Sequence, residues 1–220
     1  GNGRMGNRAE ENSVEENSVV ENSVVENSVE ENSVEENSTE GKLSLLSLDE
    51  LWELFPIFLT EHKDEWSGWF EEEKLALECV LPMERTARIA HVGSTAICSI
   101  HAKPIIDIAV AVHDIKDILP YIEVLKQHNI FFHEGAVAGE VFFVMEDGDI
   151  RTHHIHIVKR NGTGWSNYIS FRDYLNANPE KAMMYDEFKR KSAVRFADDR
   201  KRYTASKQEI IGQLLSEASM

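Results

Sequence analysis

The sequence predicts an α+β fold: a mixed β-sheet with flanking helices and a C-terminal helical segment, preceded by a disordered repeat tail. Three observations predict it. Strand patterns with helical stretches between them run from residue 88 to 158, and from there the pattern is helical to residue 216, an order typical of α+β chains. Residues 11–40 repeat one pentad six times with neither helical nor strand period. The 220 residues are 42% apolar, enough for one real core.

The tail, taken as residues 1–41, reads ENSVE, ENSVV, ENSVV, ENSVE, ENSVE, ENSTE through its repeats. A helix turns about 100° per residue, so five residues carry each valine roughly 140° around the axis and no stripe forms. In a strand an odd repeat throws valine onto alternate faces. A pentapeptide solenoid wants a small residue where these repeats have Asn, and six pentads make too few coils to bury anything. The expectation is an acidic, low-complexity segment.

Residues 42–220 then read as one domain. Leu48–Phe55 predicts a short amphipathic helix with Asp49 near its start, and Asp64 leads into a long helix that Pro82 ends. Arg88–Val92 and Pro104–Val112 read as strands, and Lys116–His128 as a helix with Ile118, Ile122 and Leu125 on one face. Ile130–His133, Val141–Glu146 and Arg151–Val158 read as further strands, the second closed by Asp147-Gly148. After Gly162-Thr163-Gly164 come helices over Ser166–Ala177, Glu180–Phe196 and Lys201–Ser216.

The formal net charge is −16, which excludes a chain that coats nucleic acid. The charge is uneven: residues 1–41 hold 11 glutamates against Arg4 and Arg8, and residues 42–220 hold 28 acids against 21 bases. The folded part is therefore only mildly acidic and has enough bases for a local basic pocket. Two cysteines, Cys79 and Cys98, make no disulfide framework and fit a reducing compartment. No secretory signal or membrane-length apolar run is visible. The expectation is a cytoplasmic protein with no membrane and no nucleic-acid partner.

Chemistry concentrates in His91–Val112, HVGSTAICSIHAKPIIDIAVAV. Along its strand Ile106, Ile108, Val110 and Val112 face one way, and Ile105, Asp107, Ala109 and Ala111 the other. The second face sets one carboxylate among small residues, which is read as an open face with room for a ligand. A lone carboxylate in an apolar strand needs a cation or hydrogen bonds. Gly93-Ser94-Thr95 follows the preceding strand, and small residues there let amides and hydroxyls approach a phosphate. A strand, a Gly-Ser turn and an Asp on the next strand is the layout of a nucleotidyltransferase-type site, in which carboxylates hold a divalent cation.

Other residues are weighed beside these. Lys103 at the strand entrance reads as a phosphate partner or as a solvated strand-end lysine. His91 contacts a ligand or braces the turn. In Arg151-Thr152-His153-His154-Ile155-His156-Ile157, His154 and His156 share a face, and His153 lies on the other. The two same-face histidines could complete a metal site with Asp107, serve as phosphate donors or acid–base groups, or brace the sheet. Arg151 is a candidate anion ligand. Arg172 and Asp173 read as a structural pair or as ligand groups; Asp198-Asp199-Arg200 with Tyr203 and Lys207 reads as a capped helix junction, or as a C-terminal helix whose basic residues close over a nucleotide. Trp66, Trp69 and Trp165 read as packing residues.

Glu65-Trp66, Phe70-Glu71-Glu72-Glu73, HVGST, AKPIIDI, RTHHIHIV, FRDYLNANP and FADDRKRYTASK together resemble the GrpB family, which is placed in the nucleotidyltransferase-fold superfamily. The resemblance covers residues 60–215. It implies a nucleotidyltransferase-like sheet, and fusions of some members to dephospho-CoA kinase hint at nucleotide metabolism. Two departures stand out. The superfamily's strand carries Asp, an apolar residue and a second acid; here Ala109 holds the second position, as in the family generally. The family usually reads V-P-G-L after the turn, where this chain has Ile97-Cys98-Ser99-Ile100.

The expectation is a metal-dependent nucleotidyl- or phosphoryl-transfer enzyme acting on a small molecule. Asp107 and His156 are its catalytic residues. His91, Gly93, Ser94, Thr95, Lys103 and Arg151 bind a nucleotide or other phosphorylated substrate. Asp107, His154 and His156 hold Mg²⁺ or Mn²⁺. The alternative is a non-catalytic nucleotide- or anion-binding module, or a helper domain of nucleotide metabolism with a protein partner.

Overall fold

The computed structural model describes residues 59–133, 139–148 and 150–220. The repeats and the helix expected over Leu48–Phe55 lie outside the described residues.

The chain enters at Thr60, which bridges Ala102 through a pair of backbone hydrogen bonds. Helix α1 spans Glu65–Val80 and buries Trp66, Phe70, Glu73 and Leu77. That spacing of four, three and four residues makes one stripe. Pro82 follows its end, and the chain passes into strand β1, Thr86–Val92. Strand β2, Ile106–Val112, is buried at every position. Pro120 then breaks the helix expected over Lys116–His128. Ile115–Tyr121 forms a 3₁₀ segment, and only Ile122–Gln127 is α-helical, as α2. A proline in a helix interior lacks the N–H and clashes with the preceding turn, whereas the shorter 3₁₀ bonding pattern accommodates it.

Strands β3 (Ile130–His133), β4 (Glu140–Asp147) and β5 (Ile150–Lys159) follow. Helices α3 (Thr163–Ala177), α4 (Pro179–Arg195) and α5 (Arg200–Ala218) complete the chain. Asp199 caps α5 by accepting from the Arg202 amide at 3.1 Å, the role expected of it. The five strands form one mixed sheet in the order β1-β2-β5-β4-β3. Only β2 and β5 run parallel, and the other neighbours are antiparallel.

Both faces of the sheet are covered. On one, Ile106, Ile108, Val110 and Val112 join Ile155 and Ile157 under Trp66, Phe70 and Leu77 of α1 and Leu125 of α2. Each such side chain contributes about 1.5–3 kcal/mol when fully buried. On the other, Ala90, Val92, Ala109 and Val158 pack under Tyr168 of α3. Helices α3, α4 and α5 pack with Ile97 and Ile100 of the connection between β1 and β2.

Candidate functional site

The register of the sheet brings the sequence-derived residues together. Asp107 on β2 lies opposite His154 on β5, and Ala109 opposite His156. On the other side Asp107 pairs with Val92, the residue before the Gly93 turn. His156 Nε2 is 3.3 Å from Asp107 Oδ1, and His154 Nδ1 is 3.5 Å from the same oxygen. The shared face read from the alternation of β5 therefore holds.

Gly93 ties the turn to the carboxylate. Its φ of 73° lies in the region glycine favours, and a Cβ at that position would collide with the Asp107 carboxylate. The turn itself is braced. His91 Nε2 meets Thr95 Oγ1 at 2.8 Å, and the His91 ring stacks on Phe70 at 5.1 Å. Burial lowers the His91 pKa to about 4, the nearby Asp107 opposing and Arg172 adding to the fall. His91 is thus neutral at physiological pH, with its ring on Thr95 of the turn. Arg172 of α3 donates to the His91 carbonyl at 3.0 Å and to Asp173 at 2.9 Å.

The family's V-P-G-L stretch has a counterpart in the loop's own bonding. The amide that Cys98 has and a proline lacks donates to Asn176 Oδ1 at 2.9 Å, and Asn176 Nδ2 donates to the Ala96 carbonyl at 2.9 Å. Ser99, where the pattern has glycine, holds a φ of 69°. One side chain of α3 thus clamps the loop.

The expected open face is closed. Asp107 and His154 are fully buried and His156 is 1% exposed, because α3 lies across them. The alanines provide room for a helix. Tyr168 packs with Ala109, and its hydroxyl lies 3.2 Å from His156 Nδ1. Lys103, read as either a phosphate partner or a solvated lysine, is 2% exposed and so is not solvated. Arg151 sits near the start of β5, half-buried, opposite Glu146 of β4. His153, on the opposite face from His154, has its pKa lowered to about 4, chiefly by burial.

Three residues of the site were not singled out from the sequence. Glu140 opens β4, and its Oε2 lies 3.9 Å from His156 Nδ1 with no hydrogen-bond partner. Burial raises its pKa to about 8. A cavity of about 430 Å³, lined by His113, Asp114, Lys116, Glu140 and Lys159 among others, opens beside it. Tyr168 is the second, its phenol pushed well above the usual range by burial and by Glu140 and Asp107. Lys189 of α4 is the third: fully buried, it donates to Ser94 Oγ at 3.2 Å and to the His101 carbonyl at 2.8 Å. Glu140 followed a loop in sequence, and the other two lay in ordinary helical patterns. Only the tertiary fold gathers them.

The donors bear on the metal expectation. Among the described residues no group of three or more His, Cys, Asp or Glu side chains is arranged so that it could hold a metal ion. In type, two imidazoles and one carboxylate suit Mn²⁺, Fe²⁺ or Zn²⁺, and Mg²⁺ prefers all-oxygen shells. The contact of His156 Nδ1 with Tyr168 is the outer partner that a ligating histidine usually has. By donor type alone the set is nearer to what Mn²⁺ takes than to what Mg²⁺ takes.

Similarity to known proteins agrees with this architecture. Residues 56–217 match the family described as GrpB protein. The glutamate-rich protein GrpB of Alkalihalophilus pseudofirmus is 36% identical over 166 residues, covering 73% of this chain and 95% of that protein. The UPF0157 protein YqkA of Bacillus subtilis is 33% identical over 168 residues, which is 76% of this chain and 48% of YqkA. The chain therefore spans about half the length of that relative. The crystal structure of conserved protein GrpB from Enterococcus faecalis aligns with a TM-score of 0.65 and 29% identity, over 74% of this chain and 100% of that one. Among the described residues no helix is long and apolar enough to cross a membrane. With its five-stranded mixed sheet, its Gly93-Ser94-Thr95 turn and these relatives, the chain belongs to the GrpB family.

Proposed function

We propose that this protein transfers a nucleotidyl or phosphoryl group between a nucleotide and a small molecule, with a divalent cation held by Asp107, His154 and His156. One observation carries the reading: the carboxylate of Asp107 packs against Gly93 of the turn while both imidazole nitrogens face its Oδ1. A phosphate cradle and a cation site would then be a single unit. When bound, the cation would neutralise phosphate charge. The chain's own part is positioning. The Ser94 and Thr95 hydroxyls and nearby amides orient phosphate oxygens, and Lys103 adds charge in a low-dielectric setting where it counts most. Tyr168 fixes the His156 ring, and α3 excludes water.

A second reading is a nucleotide- or anion-binding module without turnover. Ala109 favours it, because the position that carries a second acid in the superfamily holds none.

Calorimetric titration of the full chain with ATP, GTP, CTP and UTP, with and without Mn²⁺ or Mg²⁺, tests both. The expected result is Mn²⁺-dependent binding of at least one nucleotide that Asp107→Asn weakens by about tenfold or more, the worth of one charge-assisted contact. Binding of none in any condition contradicts both readings. Where binding is found, ³¹P NMR of the bound nucleotide with candidate acceptors separates transfer from simple retention.

A further inference from the structure

Helix α4 uses its two sides differently. Inward, Asp186 accepts the His101 amide at 2.7 Å, and Lys189 donates to the His101 carbonyl at 2.8 Å. Outward, Glu187, Arg190, Lys191, Val194 and Arg195 recur every three or four residues and line one groove. Val194 is 81% exposed, and Met183, one turn before Glu187, is 71% exposed. Glu187 pairs with Lys191 at 3.1 Å. The stripe therefore carries Arg190 and Arg195 in excess of its acid, with an exposed apolar side chain towards each end. That sign is the reverse of the chain's own, whose net charge is −16.

A basic, partly apolar stripe is complementary to an acidic, partly apolar partner. The chain carries such a segment itself. Residues 9–41 hold 11 glutamates and no Lys or Arg, and valine recurs through the repeats. The described residues also begin beside α4. Thr60 pairs with Ala102, the neighbour of the His101 that α4 holds on both sides of its backbone. Residues 41–58, which separate the repeats from that point, can span at most about 60 Å. From Lys189 to Arg195 is only about 9 Å of helix. The repeats can therefore reach the stripe with chain to spare. Because they are tethered, contacts too weak to join two separate molecules suffice.

We propose that the acidic repeats, residues 11–40, dock on the outer stripe of α4, their glutamates on Arg190, Lys191 and Arg195 and their valines on Met183 and Val194. The pentads are nearly identical, so more than one can serve the same three cations. The chain thereby covers its own basic face. It also holds the repeats against the helix whose inner side secures the connection between β1 and β2. The proposal does not depend on what the Gly93-Ser94-Thr95 turn binds.

Carbodiimide cross-linking of the full chain at low salt tests it, because that reagent joins a carboxylate to a lysine amine only where the two meet. Peptide mapping is expected to find Lys191 joined to the repeats within a single chain. Arg190→Glu combined with Arg195→Glu, both exposed positions, should cut that yield roughly fivefold or more. Salt at about 1 M, where the screening length is about 3 Å, should do the same. Glu187→Gln releases Lys191 from its present partner and should raise the yield. Lys126 of α2, exposed on another helix, is the control and should not link to the repeats. Equal yields at Lys126 and Lys191, or an unchanged yield in the double variant, reduce the contact to general attraction and overturn the docking. Links found only between two chains assign the stripe to a second copy and overturn it as well. So does the absence of any link from Lys191 to the repeats in the Glu187→Gln protein.

Discussion

Gly93 and Asp107 are the closest pairing of turn and chemistry in the molecule. Gly93→Ala combines a positive φ with a Cβ driven into a buried carboxylate, so we expect a loss of about 2 kcal/mol or more in urea unfolding. Two histidines and one glutamate set opposite pH trends. His91 and His153 titrate near 4 in the fold and near 6.5 when unfolded, so the unfolded chain binds more protons between those values. Stability is therefore lost as pH falls from about 6.5 to 4, by on the order of 2–3 kcal/mol per histidine. Glu140 titrates near 8 in the fold and near 4.5 when unfolded, so its contribution is lost as pH rises across that window. Glu140→Gln should then raise the melting temperature at pH 8 and leave it nearly unchanged at pH 4, and thermal melts at the two pH values check this. The alternation of single residues was readable: it put Asp107, His154 and His156 on one face. That the face is closed was not readable, because small side chains such as Ala109 admit a ligand and a helix equally well.

Among the elements, those with a strong period were legible. Ile130–His133 lies as expected, and β2, β5 and the last three helices differ from expectation by a few residues at their ends. The miss was Ile115–Gln127, where apolar spacing predicts one helix and Pro120 splits it. The periodicity counted side chains and gave no weight to a missing N–H. The loop between β1 and β2 teaches a related lesson. Cys98 in place of the family's proline adds a donor, and α3 supplies its acceptor in Asn176. Asn176→Ala removes that bond and the one to the Ala96 carbonyl, and should cost about 1–2 kcal/mol by chemical denaturation. It should also weaken any nucleotide binding, since Asn176 holds the loop that follows the turn.

At the scale of the whole molecule, the mixed sheet is what makes a site out of scattered residues. Placing β5 parallel beside β2 sets residues 107 and 154, almost fifty positions apart, directly opposite one another. The sequence named both residues but not Glu140, Tyr168 or Lys189, whose roles depend on which helix covers which face. The proposed function requires Asp107, His154 and His156 to hold a divalent cation next to the Gly93-Ser94-Thr95 turn. Electron paramagnetic resonance of Mn²⁺ titrated with the full chain and a nucleotide tests it most directly, because the free aqueous ion gives a sharp signal that binding removes. The account predicts that the wild type removes about one equivalent of that signal and that Asp107→Asn and His156→Ala do not. An undiminished free Mn²⁺ signal with the wild type, or equal loss in all three proteins, would contradict it.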